Sequence, residues 1–169
     1  MEAVAALALG LVVFMHAWQL FGLSESKTTG IVGAAGAIIL ALLIGWKPLP
    51  ALTKVAAEAL AGAMVTWAIY AALVAGVGLW NFDARGLGFY SAYAAVTMIV
   101  QIIYCIVAQF SLAGLICGIV QAIAFALLFF YLATRFSVLK KVTAWVLVVV
   151  GPIHGILAVL LLLKVPGLA

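Results

Sequence analysis

Charge is what this sequence most conspicuously lacks. Lys, Arg, Asp and Glu together make up 7% of its 169 residues, where an ordinary globular domain carries about 25%. A soluble fold has to cover its core with polar surface, and this composition cannot supply it. The formal charge of +4 is small and scattered along the chain, so no basic patch marks a nucleic-acid partner. Asp83 is the only aspartate. No Ser/His/Asp set, nucleophile elbow, zinc signature or phosphate-binding loop is present, so no catalytic residue, metal or cofactor is expected and the chain does not read as an enzyme. Cysteine is scarce as well. Cys105 and Cys117 both fall in apolar runs without CxxC or Cys/His spacing, which points to small packing residues and not to a disulfide or a metal pair.

What is abundant is long apolar runs, with hydrophobic residues at 70% of positions. Crossing a bilayer takes roughly 20 apolar residues at about 1.5 Å rise each. Six runs qualify: 3–22, 29–46, 55–79, 89–108, 113–134 and 144–163. The breaks lie at 24–28, 47–54, 81–86, 109–111 and 135–143, and the fourth is polar only at Gln109 and Ser111. Without that break the fourth and fifth runs would merge into one too long for a bilayer, so it is kept. The first run carries Glu2 instead of a basic leader and is followed by no small-x-small cleavage site, which makes it a retained helix and not a signal peptide. The expected fold is all-α: an integral membrane protein, 1–169 as one domain, with six transmembrane helices.

Breaks one, three and five centre near residues 26, 84 and 139. That regularity predicts three helical hairpins in a row, able to close into a ring around a central conduit. The same breaks hold Lys27, Arg85, Arg135, Lys140 and Lys141, against Lys47, Lys54 and Lys164 on the other side. Cytoplasmic loops are enriched in Lys and Arg, so this bias places both termini outside the cytoplasm. Trp46, Trp80 and Trp145 stand at span ends, where amphipathic rings settle among the headgroups.

The spans hold no Lys or Arg at mid-depth, which suits neither an anion pathway nor an acidic cation pump. They hold uncharged hydrogen-bonding groups instead. In the fourth span Tyr90, Tyr93, Thr97, Gln101 and Tyr104 recur at three- and four-residue steps and share one helix face. Such a stripe is either a polar seam joining two helices or a pore wall for a neutral polar solute. Its five groups over nearly the whole span exceed what pairing needs and favour the wall. The third span adds Glu58, Gly62, Thr66 and Tyr70 at strict four-residue steps. Glu58 either reaches the interface beside Lys54 or stands as a vestibule carboxylate. Gln121 is the main polar residue of the fifth span.

Two histidines, His16 and His154, lie within spans, the second in Gly151-Pro152-Ile153-His154-Gly155. Each reads first as an interhelical hydrogen-bond partner. Any pH response is expected to run through His154, then His16, with Glu58 as the rival. A pair of axial haem ligands is a further reading that nothing else in the chain supports. The Gly114/Gly118 and Gly151/Gly155 steps, with Gly30, Gly33 and Gly36, predict tight helix packing.

In layout and in three short motifs the chain resembles the AmiS/UreI family of acid-gated urea channels and short-chain amide transporters. His16-Ala17-Trp18-Gln19-Leu20-Phe21-Gly22 followed by Ser24 to Thr29 looks like that family's first helix and hairpin. Tyr70-Ala71-Ala72, the connector with Asp83 and Arg85, and Phe89-Tyr90-Ser91 look like its central hairpin. Lys141-Val142-Thr143-Ala144-Trp145 looks like the start of its last helix. The departures are specific. The family's Asn-Gly pair is replaced here by His16-Ala17, its second-helix Asn by Gly33 and its last-helix Glu by Val150, and its tryptophan-rich fifth helix is absent. The resemblance implies a six-helix protomer in the bacterial cytoplasmic (inner) membrane, a homo-oligomer (a hexamer) with one conduit per protomer, and urea or a short amide as solute. It does not carry over the urea selectivity filter, whose residues are missing. The rival expectations are a substrate-binding membrane subunit of a vitamin importer, with a large outward pocket, and a structural membrane protein with no conduit.

Overall fold

A computed structural model describes residues 2–45, 54–108 and 112–163, and among these the side chains of all but Glu2 and residues 54–60. Six α-helices follow one another: α1 (Glu2–Phe21), α2 (Ser26–Gly45), α3 (Lys54–Trp80), α4 (Ala84–Val107), α5 (Leu112–Leu128) and α6 (Leu139–Leu162). A single widened π-turn, Phe129–Ala133, extends α5. No strand occurs among the described residues. Six segments are long and apolar enough to cross a membrane: Ala3–Phe21, Ser26–Gly45, Ala61–Trp80, Ala84–Val107, Leu112–Ala133 and Leu139–Leu162. The chain is an all-helical integral membrane protein with six transmembrane helices.

The distribution of side chains shows which solvent the fold is built for. Leu7, Leu11, Ile31, Ile38, Leu42, Val100, Ile103 and Val149 face outward, while His16, Thr29, Thr66, Ser91, Gln121, Thr143 and His154 are buried. In water that arrangement would be backwards. In a bilayer it is the stable one, because lipid offers polar groups no partner and they must find one inside the protein.

Short connections make sequential helices antiparallel. Each helix packs on the next, and α6 closes back onto α1, so the six form a ring. The expected hairpins α1/α2, α3/α4 and α5/α6 are present, but the most extensive seams run between them: α1–α6, α2–α3 and α4–α5. Glycine explains the difference. A Cβ added at Gly10 would lie 2.7 Å from the Gly151 carbonyl oxygen, and one at Gly33 would lie 2.8 Å from that of Ala71. At Gly88 it would lie 2.5 Å from the Ala133 backbone nitrogen, inside the π-turn. In all three seams backbone meets backbone at distances no side chain permits. The centre of the ring is filled by Leu9, Met64, Trp67, Tyr70, Leu87, Met98, Phe125, Leu128 and Leu147.

The three hairpin turns at one end share a device. Gly22, Asn81 and Arg135 follow α1, α3 and the π-turn and take φ of 79°, 56° and 60°, the left-handed conformation that ends many helices. After Asn81 the chain folds back, so that the Phe82 amide donates to the Gly76 carbonyl at 3.2 Å. Asp83 then caps α4, its side chain accepting from the Arg85 amide at 2.9 Å. These local devices shorten the expected breaks: 81–86 becomes 81–83, and 135–143 becomes 134–138, with Lys140 and Lys141 already in the first turn of α6. The fourth break holds, since α4 and α5 are separate helices, although 109–111 lie outside the described residues. Trp80 and Trp145 are exposed at span ends. Trp46, Lys47 and Lys164 lie outside the described residues.

Candidate functional site

Three of the buried polar side chains, Gln121, His154 and His16, meet partners from other helices in two adjacent layers. The first joins three helices. Trp67 on α3, Gln121 on α5 and His154 on α6 are 4%, 2% and 0% exposed. The Trp67 indole Nε1 donates to Gln121 Oε1 at 2.7 Å, the Gln121 amide nitrogen lies 2.5 Å from His154 Nε2, and His154 Nδ1 lies 2.8 Å from the Val150 carbonyl.

Donor and acceptor chemistry orients this chain from both ends. An indole N–H can only donate, so it must face the oxygen of Gln121. The Gln121 amide nitrogen then points at His154 and donates to it, so Nε2 must be the bare, accepting nitrogen. At the other end a backbone carbonyl can only accept, so His154 Nδ1 carries the hydrogen. The two ends demand the same arrangement: a neutral imidazole in the Nδ1–H tautomer. With Nε2 accepting from Gln121 and Nδ1 donating to Val150, both ring nitrogens of His154 are engaged within the protein. Among the described residues no group of three His, Cys, Asp or Glu is placed to hold a metal ion.

The second layer lies one helical turn away. Tyr70 follows Trp67 on α3 and Phe125 follows Gln121 on α5, and the two rings meet edge to face with centroids 5.2 Å apart. The Tyr70 hydroxyl lies 2.7 Å from Nδ1 of His16 on α1. Tyr70 is fully buried. The two layers together tie α1, α3, α5 and α6 through neutral groups only.

The third-span residues divide. Thr66 is buried, and its hydroxyl donates to the Gly62 carbonyl of its own helix at 3.0 Å. Gly62 itself faces open space. The Glu58 side chain lies outside the described ones.

The fourth-span stripe is placed differently from the expectation of an inner wall. The buried line of α4 runs through Leu87, Ser91, Ala94, Met98 and Cys105, roughly a quarter turn from the stripe. Tyr90 reaches sideways, its hydroxyl donating to the Thr66 carbonyl on α3 at 2.7 Å. Tyr93 is 65% exposed on the outer surface. The Thr97 hydroxyl donates to the Tyr93 carbonyl of its own helix at 2.8 Å. Gln101 and Tyr104 are half-buried, and the Gln101 carbonyl oxygen is buried with no hydrogen-bond partner. The five residues share a face as expected, but it is the flank of α4 and not the wall of the ring's centre.

Trp67 is the central residue that sequence reading passes over, because tryptophan counts as apolar in a hydropathy scan. A signal was available. Membrane tryptophans gather at the interfaces, so one at mid-span has an N–H in need of a buried partner. No protein-family model, curated protein or solved structure matches the chain.

Proposed function

We propose that this protein is a channel or facilitator for a small uncharged polar solute of the urea or short-chain amide class. The observation that carries the reading is the way the centre of the ring holds a carboxamide. An N–H donor, Trp67, sits on its oxygen and a bare ring nitrogen, His154, on its nitrogen, with no charged group in either layer. That pairing selects for a neutral solute that both accepts and donates, and it disfavours ions, which would lose their hydration without a countercharge.

A second reading, a structural clamp with no conduit, draws on the same network, since each group from Trp67 to Val150 already has a partner. Shrink–swell kinetics of proteoliposomes separate the two. A conduit makes urea and acetamide equilibrate several-fold faster than in protein-free vesicles, with glycerol lagging behind. Equal rates with and without protein would leave only the clamp.

The setting belongs to the same proposal: a bacterial cytoplasmic membrane, both termini outside the cytoplasm, and a homo-oligomer of protomers that each carry their own path. The exposed Tyr93 and the unsatisfied Gln101 oxygen on the flank of α4 support a neighbour there. A terminal reporter active only in the cytoplasm would reverse the orientation, and a monomer in native mass spectrometry would remove the oligomer.

A further inference from the structure

The group held at the centre of the ring is itself a primary amide. Gln121 ends in C(O)NH2, the same functional group as acetamide and close kin to urea. Trp67 and His154 grip its oxygen and its nitrogen at 2.7 and 2.5 Å, and the residue is 2% exposed. We infer that Trp67 and His154 form a recognition site for a primary amide, and that the Gln121 side chain occupies it as a built-in stand-in for the solute.

The geometry supports this on three counts. The donor and the acceptor sit on different helices, α3 and α6, and both aim at a group delivered by a third, α5. They are therefore not paired with each other and need a bridging molecule with one acceptor and one donor. The ends of the network are fixed independently, by an indole that can only donate and by a carbonyl that can only accept. The site thus has a permanent polarity, and a carboxamide can enter it one way round only. Finally, the neighbouring layer on the α5 side is apolar: Phe125 packs edge to face on Tyr70. A solute passing through the centre would have to exchange with Gln121, so the side chain doubles as the gate. The inference takes its solute class from the transport reading above, but its test does not depend on transport.

Replacing Gln121 by Ala removes CH2C(O)NH2, which is acetamide less one hydrogen. Free acetamide should therefore refill the space and restore both hydrogen bonds. In lipid nanodiscs the Gln121→Ala variant should melt below the parent, and acetamide should raise its melting temperature by about 2–4 °C while leaving the parent unchanged. N,N-dimethylacetamide, which accepts but cannot donate to His154, should give no rise, and nor should acetate. Adding Trp67→Phe to the Gln121→Ala variant should abolish the rescue. Equal stabilisation by acetamide and dimethylacetamide, or none by either, overturns the inference. If the alanine variant cannot be recovered, Gln121→Ser opens nearly the same space. Acetamide should then shift the Trp67 indole N–H resonance in Gln121→Ser and leave it unmoved in the parent, and a stationary resonance in the variant overturns the site. Rescue in a protein whose parent vesicles pass no solute supports this site and overturns only the transport reading. Solute flux in the parent without rescue in the variant does the reverse.

Discussion

The middle of the ring and the flank of α4 are both polar and both inside the span, and each carries a glutamine and a tyrosine, yet their polar groups are satisfied differently. At the centre the partners come from other helices: Trp67 to Gln121, Gln121 to His154, His16 to Tyr70. On the flank Tyr90 reaches the Thr66 carbonyl of α3, while the Thr97 hydroxyl turns back to its own helix and the Gln101 side-chain oxygen finds nothing. A hydroxyl can satisfy itself on the carbonyl four residues earlier and so does not report a neighbour. The Gln121 amide and the Trp67 indole are instead met from outside their own helices. A regular pattern of hydroxyls therefore does not by itself locate the polar centre of this protein.

The comparison is broken most directly by removing the two glutamines in turn. Gln121→Leu leaves the Trp67 N–H and His154 Nε2 buried and unpaired together, and an unsatisfied buried group costs about 1–3 kcal/mol. We expect a loss of about 2–4 kcal/mol for that variant, read from unfolding in mixed detergent micelles. Gln101→Leu removes an oxygen that is already unpaired, and should lie within about 0.5 kcal/mol of the parent. Equal costs for the two would mean that centre and flank do not differ.

A smaller effect tests the direction of the chain of bonds. Trp67→Phe keeps a ring in place but deletes the donor, and an interhelical hydrogen bond within a bilayer is worth about 0.6 kcal/mol on average and at most about 1.7. We expect a loss near the upper end, because Gln121 is 2% exposed and its Oε1 would be left without the Trp67 donor. In the same preparation, ¹⁵N spectra of the histidines should show His154 protonated at Nδ1 and bare at Nε2 at neutral pH. The opposite tautomer would require Gln121 to be flipped, with its NH2 against the indole N–H, and would undo the donor–acceptor order from Trp67 to Val150.

Legibility in the sequence follows the same division between local and non-local. Helix number was readable because twenty apolar residues are a local property of the chain, and the GxxxG-type glycines announced close seams at Gly151 and Gly33. The ends were less readable. Asp83 caps α4 and Asn81 turns the chain left-handed, two single-residue devices that a polarity scan absorbs into a longer loop. Periodicity correctly put Tyr90 to Tyr104 on one face but carried no information about what that face meets. The central network was the least readable part. Its partners are 54 and 33 residues apart, and one of them, Trp67, is scored as apolar.

The finest distinction falls among three tyrosines, each changed to Phe so that only a hydroxyl is lost. Tyr70 is fully buried and its hydroxyl meets His16 at 2.7 Å, so its removal leaves a ring nitrogen without that partner in the middle of the ring. The cost should be about 1 kcal/mol. The Tyr90 hydroxyl donates to the Thr66 carbonyl, and a carbonyl tolerates the loss of one bond better than a lone donor does, so about 0.6 kcal/mol is expected. Tyr93 is exposed and its ring only leans on that of Tyr90, with centroids 6.1 Å apart. Its hydroxyl should contribute less than about 0.3 kcal/mol in a protomer held apart in detergent. The order Tyr70, Tyr90, Tyr93 is the sharp part of this prediction, because it follows depth within the ring and not position along α4. If Tyr93→Phe proved as costly as Tyr70→Phe, the Tyr93 hydroxyl would have a bonded partner. Dilution would then show whose: a cost that fades as the protein is diluted belongs to a second copy, and a cost that persists belongs to the protomer itself.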